Sequence, residues 1–296
     1  MRILLTGATG QVGRAIGERL AEQHVVIGLS RMSVRAPSIH EHVQETLGSE
    51  GAVRRIKQLV QPCEAIIHAA AAISGDSRDP GLSLTNCWGT QQVVELAHDW
   101  SNVPVIFLSS VPVVGPPGRL PITEDRPVAP PSVYHASKVF GENLMAIAAQ
   151  AGCRTASLRL TSPAGPGTPE TRILGTFVRR ALAGEPLRVA GRGTRRQNYV
   201  DVRDAAAAVE ACLNSRAAGV YNIAGETAIS NMDLATVCVR ALQSSSPIEL
   251  TGKTDPDDDV SWDVDISKAR QAFGYQPRFG IEDSIRALAY EYDHPQ

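Results

Sequence analysis

The first half of the chain alternates short apolar runs with longer stretches in which apolar residues recur at helical spacing. The runs predict strands, and the helical spacing predicts helices. The predicted strands are 2–7, 24–30, 64–70, 103–110 and 154–160, and the predicted helices are 11–23, 51–61, 83–99 and 135–151. Strands separated by helices of this length indicate right-handed βαβ units and a parallel sheet. Because the runs lack polar alternation, we expect helices on both faces of that sheet.

The pattern changes after residue 160. The stretch TSPAGPGTPETR, residues 161–172, is rich in proline and glycine. Such a stretch predicts a loop, here a connection into a second and smaller region. The acidic run TDPDDDV, residues 254–260, is typical of a solvated loop.

The composition is that of an ordinary globular protein, with 43% hydrophobic and 20% charged residues among 296. A net charge of −2 argues against binding to nucleic acid or to a membrane surface. The five cysteines are scattered without metal-ligand spacing, so we expect reduced thiols, no metal site and a cytoplasmic location. The opening apolar run breaks at once into glycines, and no apolar run approaches the ~18 residues of a membrane span. We therefore expect neither a signal peptide nor a membrane anchor.

A glycine loop follows the first predicted strand. Gly7, Gly10 and Gly13 stand in TGATGQVG, between that strand and the first helix. Glycines there permit a tight turn and let a pyrophosphate approach the N–H groups of a helix N-terminus. This position favours a dinucleotide site over a purely structural turn, and it predicts a Rossmann-type, doubly wound parallel α/β sheet. The predicted site also includes Thr9, Gln11 and Val12.

The end of the second strand indicates which dinucleotide binds. A carboxylate there would bind the ribose hydroxyls of NAD, but the chain has Ser30 and Arg31, with Arg35 close behind and no acid before Glu41. A hydroxyl and a guanidinium suit a 2′-phosphate. The sequence therefore predicts NADP, with NAD as the alternative. Arg31 could also be an ordinary surface arginine with no role in cofactor binding.

A tyrosine and a lysine four residues apart begin a predicted helix in the stretch PPSVYHASKVFGENL, residues 130–144. Tyr134 and Lys138 would share one helix face, which suits an acid–base pair, although chance composition could also place them so. Arginine outnumbers lysine 25 to 4 in this chain, yet this position holds lysine. A compact ammonium beside a phenol is not interchangeable with a guanidinium, which favours the chemical explanation.

With these features, the chain resembles the extended short-chain dehydrogenase/reductases, the NAD-dependent epimerase/dehydratase family. The resemblance covers nearly the whole length and rests on motifs in the family's order: TGATGQVG, IIHAAA, TNCWGTQQVVELA, LSSVPVVG, NYVDVRDAAAAV, GVYNIAG and DVDISKARQAFGYQP. It implies a dinucleotide-binding Rossmann domain over 1–162 and a smaller substrate-binding domain over 163–296. The chain around 198–225 would return to the first domain.

The resemblance also implies roles for individual residues. Tyr134 would exchange the proton of a substrate carbonyl or hydroxyl as hydride moves to or from the nicotinamide, while Ser110 hydrogen-bonds the same oxygen. Lys138 would favour the phenolate and hold the nicotinamide ribose. The further cofactor-binding residues implied are Leu47, Ala69, Ala70, Ala71, Asn86 and Pro163, beside Tyr134 and Lys138. The implied substrate-binding residues are Ser110, Ser162, Arg196 and Gln197.

The chain also departs from the family's pattern. Val111 and Pro112 stand where dehydratases of this family carry an Asp-Glu pair, so sugar 4,6-dehydration is not expected. Gln197, Ser162 and Asp255 replace residues that family members use around a sugar-linked diphosphate. Residues 172–203 nevertheless carry eight arginines against two acids, a basic stripe that is either a phosphate-binding surface or a solvated helix face.

The leading hypothesis is an NAD(P)-dependent reductase or epimerase acting on a nucleotide-activated sugar. The alternatives are an NADPH-dependent ketoreductase of a non-nucleotide carbonyl compound and a non-catalytic NADP-binding sensor. The helices at 83–99 and 135–151 form a four-helix dimer contact in the family, so we expect a homodimer.

Overall fold

The computed structural model describes residues 1–33 and 38–294, so the predicted phosphate ligand Arg35 lies outside the described residues. The strands are β1 (Arg2–Thr6), β2 (Val25–Ser30), β3 (Glu41–Gln44), β4 (Ala65–His68), β5 (Val105–Ser110), β6 (Thr155–Leu160), β7 (Ser162–Ala164), β8 (Leu187–Val189), β9 (Arg196–Asp201), β10 (Gly219–Ile223), β11 (Ala228–Ser230) and β12 (Ile248–Leu250). Seven of them form a parallel sheet in the order β10-β6-β5-β4-β1-β2-β3, which confirms the predicted fold class.

The helices lie between these strands. They are α1 (Gln11–Ala21), α2 (Ala52–Leu59), α3 (Gly81–Ser83), α4 (Gly89–Asp99), α5 (Val133–Gln150), α6 (Ile173–Leu182), α7 (Val202–Asn214), α8 (Asn231–Ala241), α9 (Ser267–Phe273) and α10 (Ile281–Asp293). A π-helical turn, Leu84–Trp88, joins α3 to α4, and a 3₁₀ turn, Val111–Val114, follows β5. Within the described ranges, no helix is both long and apolar enough to cross a membrane.

The absence of polar alternation in the strands has a direct cause in the packing. Ile3 and Leu5 of β1 enter one apolar core, whereas Leu4 enters the core on the opposite face, and all three side chains are fully buried. Helices cover both faces, with α1 and α7 on one side and α2, α4 and α5 on the other. Apolar residues are therefore needed at every strand position.

The elements after residue 160 are divided between the large sheet and a smaller layer. The strand β10 pairs with β6, and α7 packs against α1, so both belong with the large sheet. The remaining strands form a three-stranded sheet, β11-β9-β7, and a pair, β12-β8. A third apolar core lies under α6, α8 and α10. The domain boundary at residue 162 remains a prediction.

Two segments differ in character from their sequence patterns. The strand β3 carries Glu41, His42 and Gln44 at the edge of the sheet, and its polar composition gave no strand signal. The acidic run 254–260 is a loop, but its carboxylates bind a neighbouring turn. Asp258 accepts hydrogen bonds from the backbone N–H groups of Arg192 and Thr194 at 2.6 and 3.3 Å.

The parallel sheet places several chain reversals at one edge. Thr6 pairs with His68, and Ser110 pairs with Leu160, so the ends of β1, β4, β5 and β6 lie side by side. Ligands of open α/β sheets bind at this carboxyl edge. The predicted site residues that follow these strands therefore converge there.

Candidate active site

The glycine loop lies between β1 and α1, and its geometry requires glycine. Gly7 has a φ of +71°, a left-handed conformation that side chains rarely adopt. A Cβ on Gly13 would lie 2.0 Å from the Gly7 carbonyl oxygen, and one on Gly7 would lie 2.6 Å from the Ala70 nitrogen. Backbone thus packs directly on backbone in this loop, residues 7–13, which we call the cradle because glycines there let a diphosphate approach the backbone.

The cradle opens onto the N-terminus of α1. Gly10 precedes the helix, no side chain caps it, and its first turn contains no acidic residue. Because a helix N-terminus carries unsatisfied N–H groups and a partial positive charge, the backbone of Gln11, Val12 and Gly13 fits an anionic dinucleotide. The Gln11 side chain donates to Thr168 Oγ1 at 2.8 Å, which ties the cradle to the connection after β7.

Two of the predicted 2′-phosphate ligands, Ser30 and Arg31, lie at the carboxyl end of β2. Ser30 is buried, and its hydroxyl donates to the Met32 carbonyl at 3.0 Å while lying 3.0 Å from His42 Nε2. Arg31 is exposed directly after it. An exposed cation next to the predicted ribose position supports the phosphate hypothesis, although the serine hydroxyl already has protein partners.

The end of β4 is held against the glycine loop by Thr6. Its Oγ1 accepts a hydrogen bond from Ala70 N at 3.2 Å and lies 2.8 Å from His68 Nδ1. Burial lowers the pKa of His68 to about 3, so this ring is neutral at physiological pH. The backbone of Ala69 and Ala71 is thereby fixed beside the cradle.

Two predicted cofactor residues have mainly structural contacts. Asn86 accepts from Ala72 N at 2.8 Å and donates to Ala72 O and Ser137 Oγ at 3.0 and 3.1 Å. It therefore joins the segment after β4 to α5. Leu47 is only 7% exposed and packs in the core beside Gly89 of α4.

α5 fixes the predicted acid–base pair against β5. Lys138 is 4% exposed and donates from Nζ to the Leu108 carbonyl at 2.8 Å. The same nitrogen lies 4.9 Å from the Phe107 ring centroid and 5.7 Å from that of Tyr134. Because Leu108 is two residues before Ser110, this contact seats the helix face at the strand end where Ser110 lies.

Burial determines the protonation of this pair. It raises the pKa of Tyr134 to about 12, against an opposing effect of the Arg172 guanidinium. It lowers the pKa of Lys138 to about 8, against an opposing effect of the Glu142 carboxylate. The resemblance implied that Lys138 favours the phenolate, whereas burial of Tyr134 favours the protonated phenol. A protonated phenol is a proton donor, as carbonyl reduction requires.

Three side chains near the pair were not predicted. His135 stands edge-on to the Tyr134 ring with centroids 5.0 Å apart, and burial lowers its pKa to about 4. Glu142 and Arg159 form a buried ion pair at 2.7 Å. The sequence did contain a signal for Glu142, which lies one helical turn after Lys138, and for Arg159, which interrupts an apolar strand.

The predicted substrate residues lie together in the three-stranded sheet. Ser162 and Pro163 belong to β7, and Arg196 and Gln197 belong to the adjacent strand β9. Ser162 and Arg196 are exposed, but Arg196 Nη2 donates to the Ala228 carbonyl. Their common sheet starts directly after β6, so it borders the carboxyl edge of the large sheet.

The basic stripe is largely neutralised by neighbouring acids. Five of its eight arginines form ion pairs: Arg179 with Glu170, Arg188 with Glu249, Arg192 with Asp258 and Asp259, Arg195 with Asp257, and Arg203 with Asp201. Arg180 donates to the Pro186 carbonyl. Among the residues described, Arg172 is the one arginine of the stripe whose guanidinium has no partner.

Comparison with known proteins identifies the family of this chain. The model of the NAD dependent epimerase/dehydratase family matches residues 3–224. A UDP-glucose 4-epimerase of Mycolicibacterium smegmatis is 29% identical over 304 residues, covering 96% of each chain. A dTDP-glucose 4,6-dehydratase of Xanthomonas campestris pv. campestris is 27% identical over 318 residues, covering 95% of this chain and 90% of the other.

Solved structures share the fold. A UDP-glucose 4-epimerase of Thermotoga maritima, solved with UDP-glucose, has a TM-score of 0.89 at 21% identity and covers 99% of each chain. A UDP-glucose 4-epimerase of Thermus thermophilus, in complex with NAD, has a TM-score of 0.87 at 23% identity and covers both chains fully. These findings confirm the resemblance read from the motifs: the chain belongs to the NAD dependent epimerase/dehydratase family.

Proposed function

We propose that this chain is an NAD(P)-dependent oxidoreductase or epimerase that acts on a keto or hydroxyl carbon of a nucleotide-activated sugar. The observation that carries the proposal is the pair of half-buried Tyr134 and buried Lys138, in which Lys138 is fixed to β5 two residues before Ser110, at the sheet edge that also carries the glycine cradle. Sequence relatives named as epimerases and dehydratases of nucleotide-linked glucose support the substrate class.

In this proposal, one residue transfers a proton and the others orient the substrate and the cofactor. Tyr134 donates its phenolic proton to the substrate oxygen, or accepts one in the reverse direction. Ser110 hydrogen-bonds the same oxygen as charge develops there. A bound nicotinamide dinucleotide supplies or accepts the hydride. The backbone of Gly7, Gly10 and Gly13 holds its diphosphate.

The experiment that tests this function replaces the phenol. Tyr134→Phe should lower turnover about 10²–10⁴-fold while dinucleotide binding is retained, measured with a panel of UDP- and TDP-linked hexoses and their keto forms. Tyr290→Phe, at an exposed position, is the matched control and should behave as the parent. Undiminished turnover in Tyr134→Phe would remove the phenol from the reaction.

The cofactor hypothesis favours NADP and leaves NAD open. The exposed Arg31 next to Ser30 supports a 2′-phosphate contact. Structural neighbours solved with NAD keep NAD in consideration.

Dehydration is not proposed. Val111 is fully buried, and it begins a 3₁₀ turn with Pro112, Val113 and Val114 directly after Ser110. An apolar turn at this position offers no carboxyl group for elimination of water, although several relatives are named dehydratases.

A ketoreductase of a non-nucleotide carbonyl compound is the second candidate. It is favoured by the neutralised stripe and by Gln197, because both reduce the cationic surface available to a diphosphate. Arg172 is the exception, since its charge acts on Tyr134 and its guanidinium is free among the described residues. A non-catalytic sensor is disfavoured because it would need neither the buried lysine nor the phenol.

Competition with nucleotides separates these two candidates. If a sugar-linked diphosphate binds, UDP or TDP should inhibit, and the inhibition should weaken as salt rises. Arg172→Ala should then raise KM with little change in kcat, and more than Arg196→Ala does. Lack of UDP, TDP and GDP binding at millimolar concentration would favour the neutral ketone.

We also propose a homodimer, a cytoplasmic location and a domain boundary at residue 162. The dimer is supported by apolar side chains exposed on neighbouring helices, namely Leu84, Trp88, Phe140 and Ile147. The location is supported by the free thiols of all five cysteines.

A further inference from the structure

A buried carboxylate lies one helical turn beyond the lysine of the acid–base pair. Glu142 is 8% exposed and receives three hydrogen bonds. Ser109 Oγ donates to its Oε1 at 2.6 Å, and Arg159 donates from Nε and Nη2 to its two oxygens at 2.8 and 2.7 Å. The carboxylate is thus fixed by β5 on one side and by β6 on the other.

Packing alone does not explain this arrangement. A buried ion pair is expensive to desolvate, and a well-packed apolar pair of similar volume is often as stable or more stable. The carboxylate also adjoins the pair on α5 whose chemistry depends on charge. Its position therefore calls for a role beyond joining the helix to the sheet.

Three consecutive residues of β5 connect the same helix face to the site. Leu108 accepts from Lys138, Ser109 donates to Glu142, and Ser110 is the predicted partner of the substrate oxygen. On α5, Tyr134, Lys138 and Glu142 follow each other at four-residue spacing, which puts them on one face. Glu142 thus contacts the strand that carries Ser110 and lies on the helix that carries Lys138.

The charged and titratable groups around Lys138 single out Glu142. His68 of β4 and His135 of α5 are neutral at physiological pH, because burial lowers the pKa of each. Tyr134 is held protonated, and Arg159 of β6 is engaged by Glu142 itself. Among the described residues, Glu142 is the one anion that favours the ammonium form of Lys138.

We propose that Glu142 is a positioning residue of the active site: its carboxylate, oriented by Arg159 and Ser109, keeps Lys138 charged and seats it against β5 beside Tyr134 and Ser110. This inference rests on the proposed function only for its catalytic consequence. Its electrostatic content concerns the chain alone and can be measured without any substrate.

The test measures the titration of Lys138 directly. The chain has four lysines, of which Lys57, Lys253 and Lys268 are more exposed than Lys138. Lysine labelled with ¹³C at Cε therefore gives four NMR signals, and Lys138→Met identifies the buried one. In Glu142→Gln, the pKa of Lys138 should fall by about 1 unit, because an opposite charge nearby has been removed.

A double variant separates this role from simple neutralisation of Arg159. Glu142→Gln can destabilise the fold by leaving a buried guanidinium without a counterion, whereas Glu142→Gln with Arg159→Gln removes both charges. In the double variant, as in Glu142→Gln, the pKa of Lys138 should lie below its value in the parent chain. The control is Glu249→Gln, which removes the exposed partner of Arg188 and should leave the Lys138 signal unchanged.

The outcomes distinguish this inference from the proposed function. An unchanged Lys138 titration in both Glu142 variants overturns the inference whatever the activity. A shifted titration together with an alkaline limb of kcat/KM moved by a similar amount supports both. A shifted titration in a chain that turns over no nucleotide sugar supports the positioning of Lys138 and counts against the proposed function alone.

Discussion

At the scale of single residues, burial overrides the ordinary chemistry of the site. Burial raises the pKa of Tyr134 and lowers that of Lys138, whose Nζ lies over the Phe107 ring, so each is held nearer its neutral form. The lysine thus carries a cost to folding that a structural residue would not carry. This cost has a measurable dependence on pH.

Lys138→Met should relieve that cost at neutral pH. The folded pKa of Lys138, about 8, is below its ordinary value of 10.5, so the unfolded chain binds the extra proton between these values and parental stability rises with pH there. The stability advantage of the variant over the parent should therefore shrink by about 2–3 kcal/mol from pH 7 to pH 10. Urea unfolding at both pH values measures it. The exposed Lys57→Met is the control, and an equal advantage at both pH values would contradict the buried-ammonium argument.

Arg31 makes the cofactor hypothesis testable at one side chain. Dissociation constants should be lower for NADPH than for NADH, and Arg31→Ala should narrow this difference by about tenfold, the value of one charge-assisted contact. Arg19→Ala, which removes an exposed arginine paired with Glu210, is the control. A parent that prefers NADH would exclude the 2′-phosphate hypothesis and favour the epimerase reaction.

At the scale of elements, the close approach of α5 to β5 sets the geometry of the site. Gly141 faces the Phe107 ring, and a Cβ on it would lie 2.4 Å from the ring's Cζ. Any side chain at position 141 would therefore push α5 away from β5. The contact between Lys138 and Leu108 depends on that distance.

Gly141→Ala should therefore affect both stability and turnover. Overpacking at this buried contact should lower the free energy of unfolding by about 1–3 kcal/mol. Turnover of the folded fraction should fall as well, because the displaced helix carries Tyr134 and Lys138. Gly118→Ala, where the nearest atom is the flexible end of Arg126 at 3.4 Å, is the matched control. Full activity with parental stability in Gly141→Ala would show that the space between α5 and Phe107 accommodates a methyl group, and would contradict this argument.

At the scale of the whole molecule, the apolar surface of α5 and its neighbour predicts self-association. Phe140 and Ile147 are 39% and 60% exposed and lie on α5, seven residues apart, while Leu84 and Trp88 are exposed on the adjoining turn. Residues seven apart share a helix face, so α5 presents an apolar stripe. A second copy of the chain would cover it.

Ile147→Lys should convert the dimer to a monomer because it places a charge in that contact. Sedimentation velocity at tens of micromolar protein measures the change. Leu250→Lys, at a similarly exposed apolar position on β12, should leave the dimer intact. A parent chain that sediments as a monomer would exclude the dimer.

The sequence alone predicted the parallel sheet and most of its boundaries, since buried strands and amphipathic helices have distinct hydrophobic periods. It also placed the glycine loop and the spacing of Tyr134 and Lys138, because local backbone geometry imposes both. Among the strands of that sheet it missed β10 and β3, and the polar residues of β3 at a sheet edge leave no apolar pattern.

Tertiary structure decided what depends on distant neighbours. Arg159 and Glu142 form an ion pair although they are 17 residues apart in the chain. Arg195 and Asp257 also form an ion pair, and they come from separate loops. Local sequence carries no record of such pairings, so two features emerged only in the fold: the neutralised stripe, and an Arg172 guanidinium without a partner among the described residues. The protonation of Tyr134 and Lys138 follows the same logic, because desolvation depends on everything packed around a group.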